Sequence, residues 1–528
     1  MNFLKYKINL SERKKYYFVY TLCFTITAFL VFFWFLIAHR TMIWREDGWM
    51  QHYKSMIYYS KYLRSIIKGI LLNHELIIPN WDFSIGQGSD ILSTLHYYTI
   101  GDPLSVFSIF FSEENMYLYY DAAIILRIYF AGIAFSALCF ETGKRNSYGI
   151  LAGAIAYTFC EWALSFIRHP FFLNPMLYFP LLLLGIEKII KKKRPYLFTI
   201  AVAISALCNF YFFYMMVLAV IIYVIIRLII SYRKNIKDAA LLIAKIASSS
   251  VLGVILSAVI FLPLCYVFIF DSRISEQFNL RLFYPLDFYS KLPGMFIAPS
   301  SLSYSCCMGF AAPILLAVFL MFYKRKEHQF TKALFIACII ITLFPIFGRV
   351  FNGFAYVTAR WIWAFALISS YILTLMWPSL MGLTVNEGKF LVKCMTVYFA
   401  VCLFLEYSRT GNVFAQLTTA LIFLFIIYPI SNTAAAPSNQ GKQRLAIILV
   451  FISVVMNGYW KYSPDEMNYP GSYLEVRQLT LNSNETAAIA ETADAEGVDE
   501  FYRFSGRNLT KNANMIAGIS STQYFWSL

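Results

Sequence analysis

The chain is short of charge. Asp, Glu, Lys and Arg supply only 14% of its 528 residues, where a soluble protein of this length carries roughly a quarter. An ordinary water-soluble domain is excluded. Segments of about 10 residues with alternating apolar and polar character are absent, which excludes a transmembrane β-barrel. There are ten cysteines, but most sit inside apolar runs (Cys23, Cys139, Cys160, Cys208, Cys338) and read as small buried hydrophobes. Cys306 and Cys307 are adjacent and no paired spacing occurs elsewhere, so neither a disulfide framework nor a zinc site is indicated. Gly86 and Gly88 in IGQGSD lack the Gly-Lys-Ser/Thr ending of a phosphate-binding loop, and no strand–helix unit surrounds them. With no βαβ-like cytoplasmic domain, a nucleotide or sugar-nucleotide site is disfavoured, and any activated donor should be soluble in the membrane. The first apolar run, from Tyr17, is too long for a secretory signal core and has no small-residue cleavage site.

What the chain has is apolar length. Hydrophobic residues make up 59% and aromatics 19% of it, and the mean hydropathy is +0.60. Apolar runs of about 20 residues recur along nearly the whole sequence, enough to cross hydrocarbon. The fold class is an all-α polytopic membrane protein. A formal net charge of +15 suggests nucleic acid as a partner. The basic residues, however, cluster in short loops between apolar runs, which marks topology rather than a nucleic-acid face.

Loop charge orders the crossings. Lys5, Lys7, Arg13, Lys14 and Lys15 hold the N-terminus in the cytoplasm. Basic clusters then follow every second run: Lys144 and Arg145; Lys188 with Lys191 to Arg194; Arg227, Arg233, Lys234 and Lys237; Lys324 to Lys326; weakly Lys389; and Lys442 with Arg444. The alternation requires residues 197 to 231 to be two spans, split at CNFYFFY (Cys208 to Tyr214). The expectation is roughly 13 spans, N-terminus inside and C-terminus outside. Residues 1–460 form the multispanning domain and 461–528 a polar, acidic external region rich in Glu485, Glu491, Asp494, Glu496, Asp499 and Glu500. The long loops, about 40–116 and 271–306, and the shorter 348–360 all face outward. Long loops carry function more often than short connectors, so any chemistry is expected outside.

The first external loop gathers Glu46, Asp47, His52, Glu75, Asp82, Asp90, His96 and Asp102 among many aromatics. Residues 49–68 read as an interfacial amphipathic helix, with Met50, Tyr53, Ile57, Leu63 and Ile67 opposite Lys54, Lys61, Arg64 and Lys68. PNWDFSIGQGSD (79–90) is a turn-rich loop. Each candidate also has a plain structural reading. Asp47 fits a solvated acid or a helix cap, and Asp102 in Gly101–Asp102–Pro103 a turn or helix start. His52 and His96 fit structural histidines, and His74 an exposed one. Charges inside spans are costly and so carry more information: Asp121, Arg127 and Glu161, with Arg360 at the start of the tenth span. Arg360 suits either a phosphate contact or a snorkelling side chain. Arg349, Lys291, Arg281 and Arg273 add positive charge on the same side, and such a cluster beside an acidic loop suits a lipid phosphate next to a base.

WREDGWMQHY, IPNWDFSIGQGSDILSTLHYYTIGDPL, CNFYFFYM and FNGFAYVTARWIW closely resemble the motifs of the bacterial YfhO-like membrane proteins, which are similar in architecture to the GT-C glycosyltransferases. The resemblance runs in order, with matching spacing, from residue 1 to about 460. It implies a GT-C-like helical bundle in the bacterial cytoplasmic membrane with an extracytoplasmic active site. The enzyme it implies takes a sugar from an undecaprenyl-phosphate carrier and attaches it to a cell-surface polymer such as lipoteichoic acid, in cooperation with a polyprenyl-phosphate glycosyltransferase and a flippase. By position Asp47 matches the acid that serves as general base in such enzymes, with Glu46 beside it as a metal ligand or a solvated acid and Asp102 as the next candidate. Substrate contacts fall to His52, Trp81, Asp82, His96, Arg349, Asn352, Tyr356 and Arg360. No acid spacing is diagnostic of a metal, although Mg or Mn could bind by sharing the substrate phosphate. Family members usually continue into a longer external C-terminal domain, whereas this sequence stops at Leu528, as a natural short form or a fragment. Two other classes compete: a flippase or transporter of lipid-linked saccharides, which a missing internal repeat disfavours, and a non-catalytic assembly partner, for which Asp47 would be dispensable.

Overall fold

The computed structural model describes residues 10–144, 146–232, 235–269, 282–299, 303–405, 410–428, 440–464, 466–478, 480, 512 and 514–517. Arg273, Arg281 and the acidic run from Glu485 to Glu500 lie outside them. The described chain is mostly helical because a backbone in hydrocarbon must satisfy its N–H and C=O groups within its own segment. Among the described residues, seven helices are long and apolar enough to cross a membrane: Glu113–Glu141, Ser147–Phe166, Pro170–Ile190, Phe210–Ser231, Ile236–Val267, Ile362–Met381 and Gln440–Lys461. An eighth is the pair Gln329–Leu343 and Pro345–Phe351, bent by 99° where Pro345 removes a helical donor. Three shorter apolar helices accompany them, Tyr196–Cys208, Pro313–Tyr323 and Gly411–Ile427. Leu10–Val31 and Val385–Phe404 have the length, 22 and 20 residues, but each carries several charges.

A helix break falls where residues 197 to 231 are expected to split. Asn209 is extended (φ −167°) between two helices, and its side chain accepts the Phe212 N–H at 3.0 Å, capping the second. Ser147–Phe166 forms the buried centre, while Phe210–Ser231 and Ile236–Val267 turn most of their surface outward. All ten cysteines are free thiols.

Junctions between helices gather at two ends. At one end Glu141 pairs with Lys191 (3.1 Å) and Lys193 (2.7 Å), Arg227 with Glu187 (3.0 Å), and Lys324 with Glu387 (3.4 Å). Lys442 Nζ there donates to the Met381 and Ile427 carbonyls. At the other end His96 Nε2 meets the Leu207 carbonyl at 2.7 Å, Asn209 donates to the Tyr97 carbonyl, and Tyr211 donates to Asn352. Strand Arg40–Trp44 pairs antiparallel there with Pro470–Ser472, Arg40 opposite Ser472 and Trp44 opposite Pro470. The basic junctions thus share one end, and the first loop shares the other.

The amphipathic helix needs a correction. Gly48–Tyr53 is a wide π-type turn that runs into an α-helix, Lys54–Lys68. The first half of that helix is buried and includes Lys54, which helical periodicity puts on the polar face; its Nζ sits 5.0 Å from the Trp49 ring centre. The segment therefore packs into the fold through residue 60, and apolar exposure begins only near Ile67. Residues 79–90 form the expected tight loop: Trp81–Asp82 pairs with Ser89–Asp90, and Gly86 and Gly88 take positive φ, where a Cβ would be strained.

Asp102 caps the short helix Pro103–Val106, accepting the Leu104 N–H at 3.0 Å, and is also paired with Arg127. Both side chains are about fully buried, and Arg127 Nε donates to Asn174 at 3.0 Å. Removing one member strands the other charge, so Asp102→Asn or Arg127→Met alone should cost roughly 3–5 kcal/mol. Melting in detergent checks this; the double variant should recover part of the loss.

Candidate active site

The polar groups that converge come from helix breaks, where side chains are free to turn toward one another. Asp47 opens the Gly48–Tyr53 turn with helical backbone, yet its side chain makes no cap bond. It accepts instead from Gln51 Nε2 at 2.7 Å, and Gln51 Oε1 in turn accepts from the Tyr98 hydroxyl at 2.5 Å. An ionised carboxylate can only accept, so the amide nitrogen faces Asp47 and the amide oxygen is left to accept from the Tyr98 O–H. Asp47 is half exposed; Glu46 points into solvent.

The turn between Ser147–Phe166 and Pro170–Ile190 brings Arg168 and His169 to Asp47. His169 Nε2 lies 3.9 Å from Asp47 Oδ2, and His169 Nδ1 lies 2.8 Å from His52 Nε2. Arg168 and Arg360 both act electrostatically on Asp47. Burial raises the Asp47 carboxyl above its ordinary value and Glu46 adds to the rise, while Arg168, the Gln51 amide and Arg360 oppose it. Arg360 donates to the Tyr211 hydroxyl at 3.1 Å and stacks over Phe172, Tyr211 and Tyr356 at 5.2, 5.8 and 5.5 Å. Among the described residues no carboxylate lies within 4.0 Å of Arg168 or Arg360, and the Nε of each is buried without a hydrogen-bond partner.

The remaining expected residues are spread around this centre. Asn352, which accepts from Tyr211 and donates to the Tyr356 carbonyl at 2.9 Å, belongs to the Arg360 wall. Tyr356 is exposed over Arg360. Arg349 donates to the Phe354 carbonyl at 2.9 Å and shapes the same loop. Asp82 accepts from Ser84 N–H and from Tyr58, and Trp81 is 56% exposed beside it, on the loop rather than at Asp47. His96 is buried on the Leu207 carbonyl against Phe210, and Asp102 is committed to Arg127. Lys291 pairs with Asp287 at 2.5 Å within its own helix. Arg168 and His169 are absent from the sequence expectations. Their signal was a basic pair, RHP, at a junction on the non-cytoplasmic side of the charge alternation. No group of three or more His, Cys, Asp and Glu is gathered among the described residues to hold a metal.

Residues 18–528 match the family described as "Bacterial membrane protein YfhO". The chain belongs to the YfhO family. A relative from Bacillus subtilis (strain 168), described as "Uncharacterized protein YfhO", is 24% identical over 408 residues, which are 73% of this chain and 45% of that protein. The matched part thus spans under half of that relative's length. A multi-pass membrane protein is what both the family and the apolar helices describe.

Burial of its imidazoles should make this YfhO-family fold acid-sensitive. Burial lowers His96 from 6.5 to about 4 and His52 from 6.5 to about 3. The unfolded chain then binds more protons below pH 6.5, so stability present above that pH is lost as pH falls toward 4. The melting temperature should drop across this window, and His96→Asn should flatten the drop.

Proposed function

We propose that this YfhO-family chain is a membrane glycosyltransferase. It moves a sugar from an undecaprenyl-phosphate carrier to a cell-surface polymer, such as lipoteichoic acid, on the outer face of the bacterial cytoplasmic membrane. The observation that carries the reading is Asp47: a carboxylate fixed by Gln51 and raised in basicity, beside two guanidinium groups with no carboxylate in contact among the described residues.

That combination suits a single displacement. The acceptor hydroxyl attacks the anomeric carbon while Asp47 takes its proton, and the bond from that carbon to the phosphate oxygen breaks. The departing polyprenyl phosphate keeps the electron pair. Arg168 and Arg360 hold the charge that develops on it, in surroundings where burial strengthens the interaction. One base and one displacement invert the anomeric centre. Glu46 stands solvated beside the base, and Asp102, held by Arg127, serves by fixing the loop. Arg349, Asn352 and Tyr356 shape the wall behind Arg360. His52 backs His169, and Trp81, Asp82 and His96 build the loop over which the acceptor approaches.

We read the helices as thirteen crossings of a GT-C-like bundle: the seven apolar helices, the bent pair, the three shorter ones, and the 22- and 20-residue helices. The basic end then lies in the cytoplasm and Asp47 outside. A polyprenyl-phosphate glycosyltransferase and a flippase would supply the loaded carrier.

Right-side-out vesicles given radiolabelled undecaprenyl-phosphate sugar and a polymer acceptor test the reading. Asp47→Asn should cost about 10²–10⁴-fold in transfer with protein level unchanged. Arg168→Ala and Arg360→Ala should each weaken transfer by about 10²-fold. Wild-type rates in Asp47→Asn would refute the base assignment. Carrier crossing the bilayer without any transfer would instead point to a flippase.

A further inference from the structure

Two imidazoles from distant parts of the chain meet behind Asp47. His52 Nε2 and His169 Nδ1 are 2.8 Å apart, and the remaining nitrogen of His169, Nε2, faces Asp47 Oδ2 at 3.9 Å. Only one of the two nitrogens in the short contact can carry its proton. If His169 held it on Nδ1, the Nε2 lone pair would face a carboxylate. The opposite arrangement has His52 donating from Nε2, which leaves the proton of His169 on Nε2, directed at Asp47. His52 Nδ1 is then unprotonated, and it is buried with no hydrogen-bond partner. The His52 ring is held in place by Tyr98 and Phe171, at 5.3 and 5.1 Å between ring centres.

We propose that His169, held in this tautomer by His52, is a positioning residue for Asp47: its Nε2–H orients the carboxylate that receives the acceptor proton. This rests on Asp47 being the base. At 3.9 Å the contact orients through attraction between dipole and charge, and catalytic contacts of this kind tighten when substrate enters. A proton relay is the competing role. Burial opposes it by depressing both imidazoles, His52 to about 3 and His169 well below its ordinary value. Asp47 is faced by Glu46 from its own turn, by Arg168 and His169 from the hairpin, and by Arg360. His169 is faced by His52, Arg168 and Arg360 besides Asp47. These charges stay the same in the variants below, so differences among the variants report on the imidazole pair.

The test is the pH profile of kcat/KM for transfer from undecaprenyl-phosphate sugar in right-side-out vesicles. His169→Ala should lose roughly 10²-fold, and its acid limb should move to higher pH because the carboxylate has lost a stabilising N–H. His169→Gln, which presents an amide N–H in place of Nε2–H, should recover most of the rate and return the limb. His52→Ala should shift the limb in the same direction by less. An acid limb at its wild-type position in both His169→Ala and His52→Ala overturns the proposal, whatever their rates, since lost folding alone lowers the rate without moving the limb. If His169→Ala does not reach the membrane, the limb of His52→Ala decides alone. Wild-type transfer by Asp47→Asn is a separate result and removes the base itself.

Discussion

The ladder between Arg40–Trp44 and Pro470–Ser472 fixes where Asp47 stands. Thr41 donates to the Gly471 carbonyl at 3.1 Å, Arg45 N–H donates to the Tyr469 carbonyl, and the Arg45 side chain pairs with Glu475 at 2.9 Å. From the helix side, Asp121 accepts the Met42 N–H at 2.8 Å, which accounts for an acid near the start of an apolar helix. The strand ends three residues before Asp47, so the carboxylate inherits its position from this closure. The closure also constrains topology. Two segments that hydrogen-bond must lie on one side of a bilayer, so an even number of crossings separates Arg40 from Pro470.

The same constraint explains why the site is built from interruptions. A helix in hydrocarbon satisfies its backbone groups within itself, and the polar side chains around Asp47 stand where such helices stop. Asp47 follows a strand, Arg168 and His169 precede Pro170, Tyr211 follows the extended Asn209, and Arg360 precedes the helix from Ile362. Each break is satisfied locally. The buried extended segment before Pro313 follows the same rule: Asn457 donates to the Gly309 carbonyl and Ser453 accepts the Ala312 N–H, so its backbone is not left unpaired.

The fold was legible where composition and periodicity carry it. Apolar length marked the helices, and charge alternation demanded the break at Cys208 that Asn209 supplies. Asp47 stands out among the acids of the first loop through the family resemblance, since spacing alone fits a solvated acid or a helix cap equally well. Pairings between segments were not legible. Asp102 and Arg127 each stood out, one as a helix start and one as a charge inside a span, but nothing in their spacing says that they touch. Lys54 reads as surface because helical periodicity assumes a single buried stripe, whereas this helix is enclosed at its beginning on all sides. Arg168 and His169 went unread because a short junction between apolar runs looks like a connector.

The loop contains its own comparison for judging Asp47. At Asp102 an acid meets an arginine in direct contact, both buried, with the remaining donors satisfied by Asn174 and the Ala123 carbonyl. That is how a charge serves a fold: it is neutralised and hydrogen-bonded. Around Asp47 the pieces for the same solution are at hand, yet neither Arg168 nor Arg360 lies within 4.0 Å of a described carboxylate. Arg360 leans on tyrosine and phenylalanine rings, and Asp47 takes a neutral amide as its partner. An Asp47 in full contact with Arg168 would be a weak base, and an Arg168 so paired could not receive a phosphate. On the proposed reading, keeping them apart leaves Asp47 free to take a proton and Arg168 free to meet a phosphate.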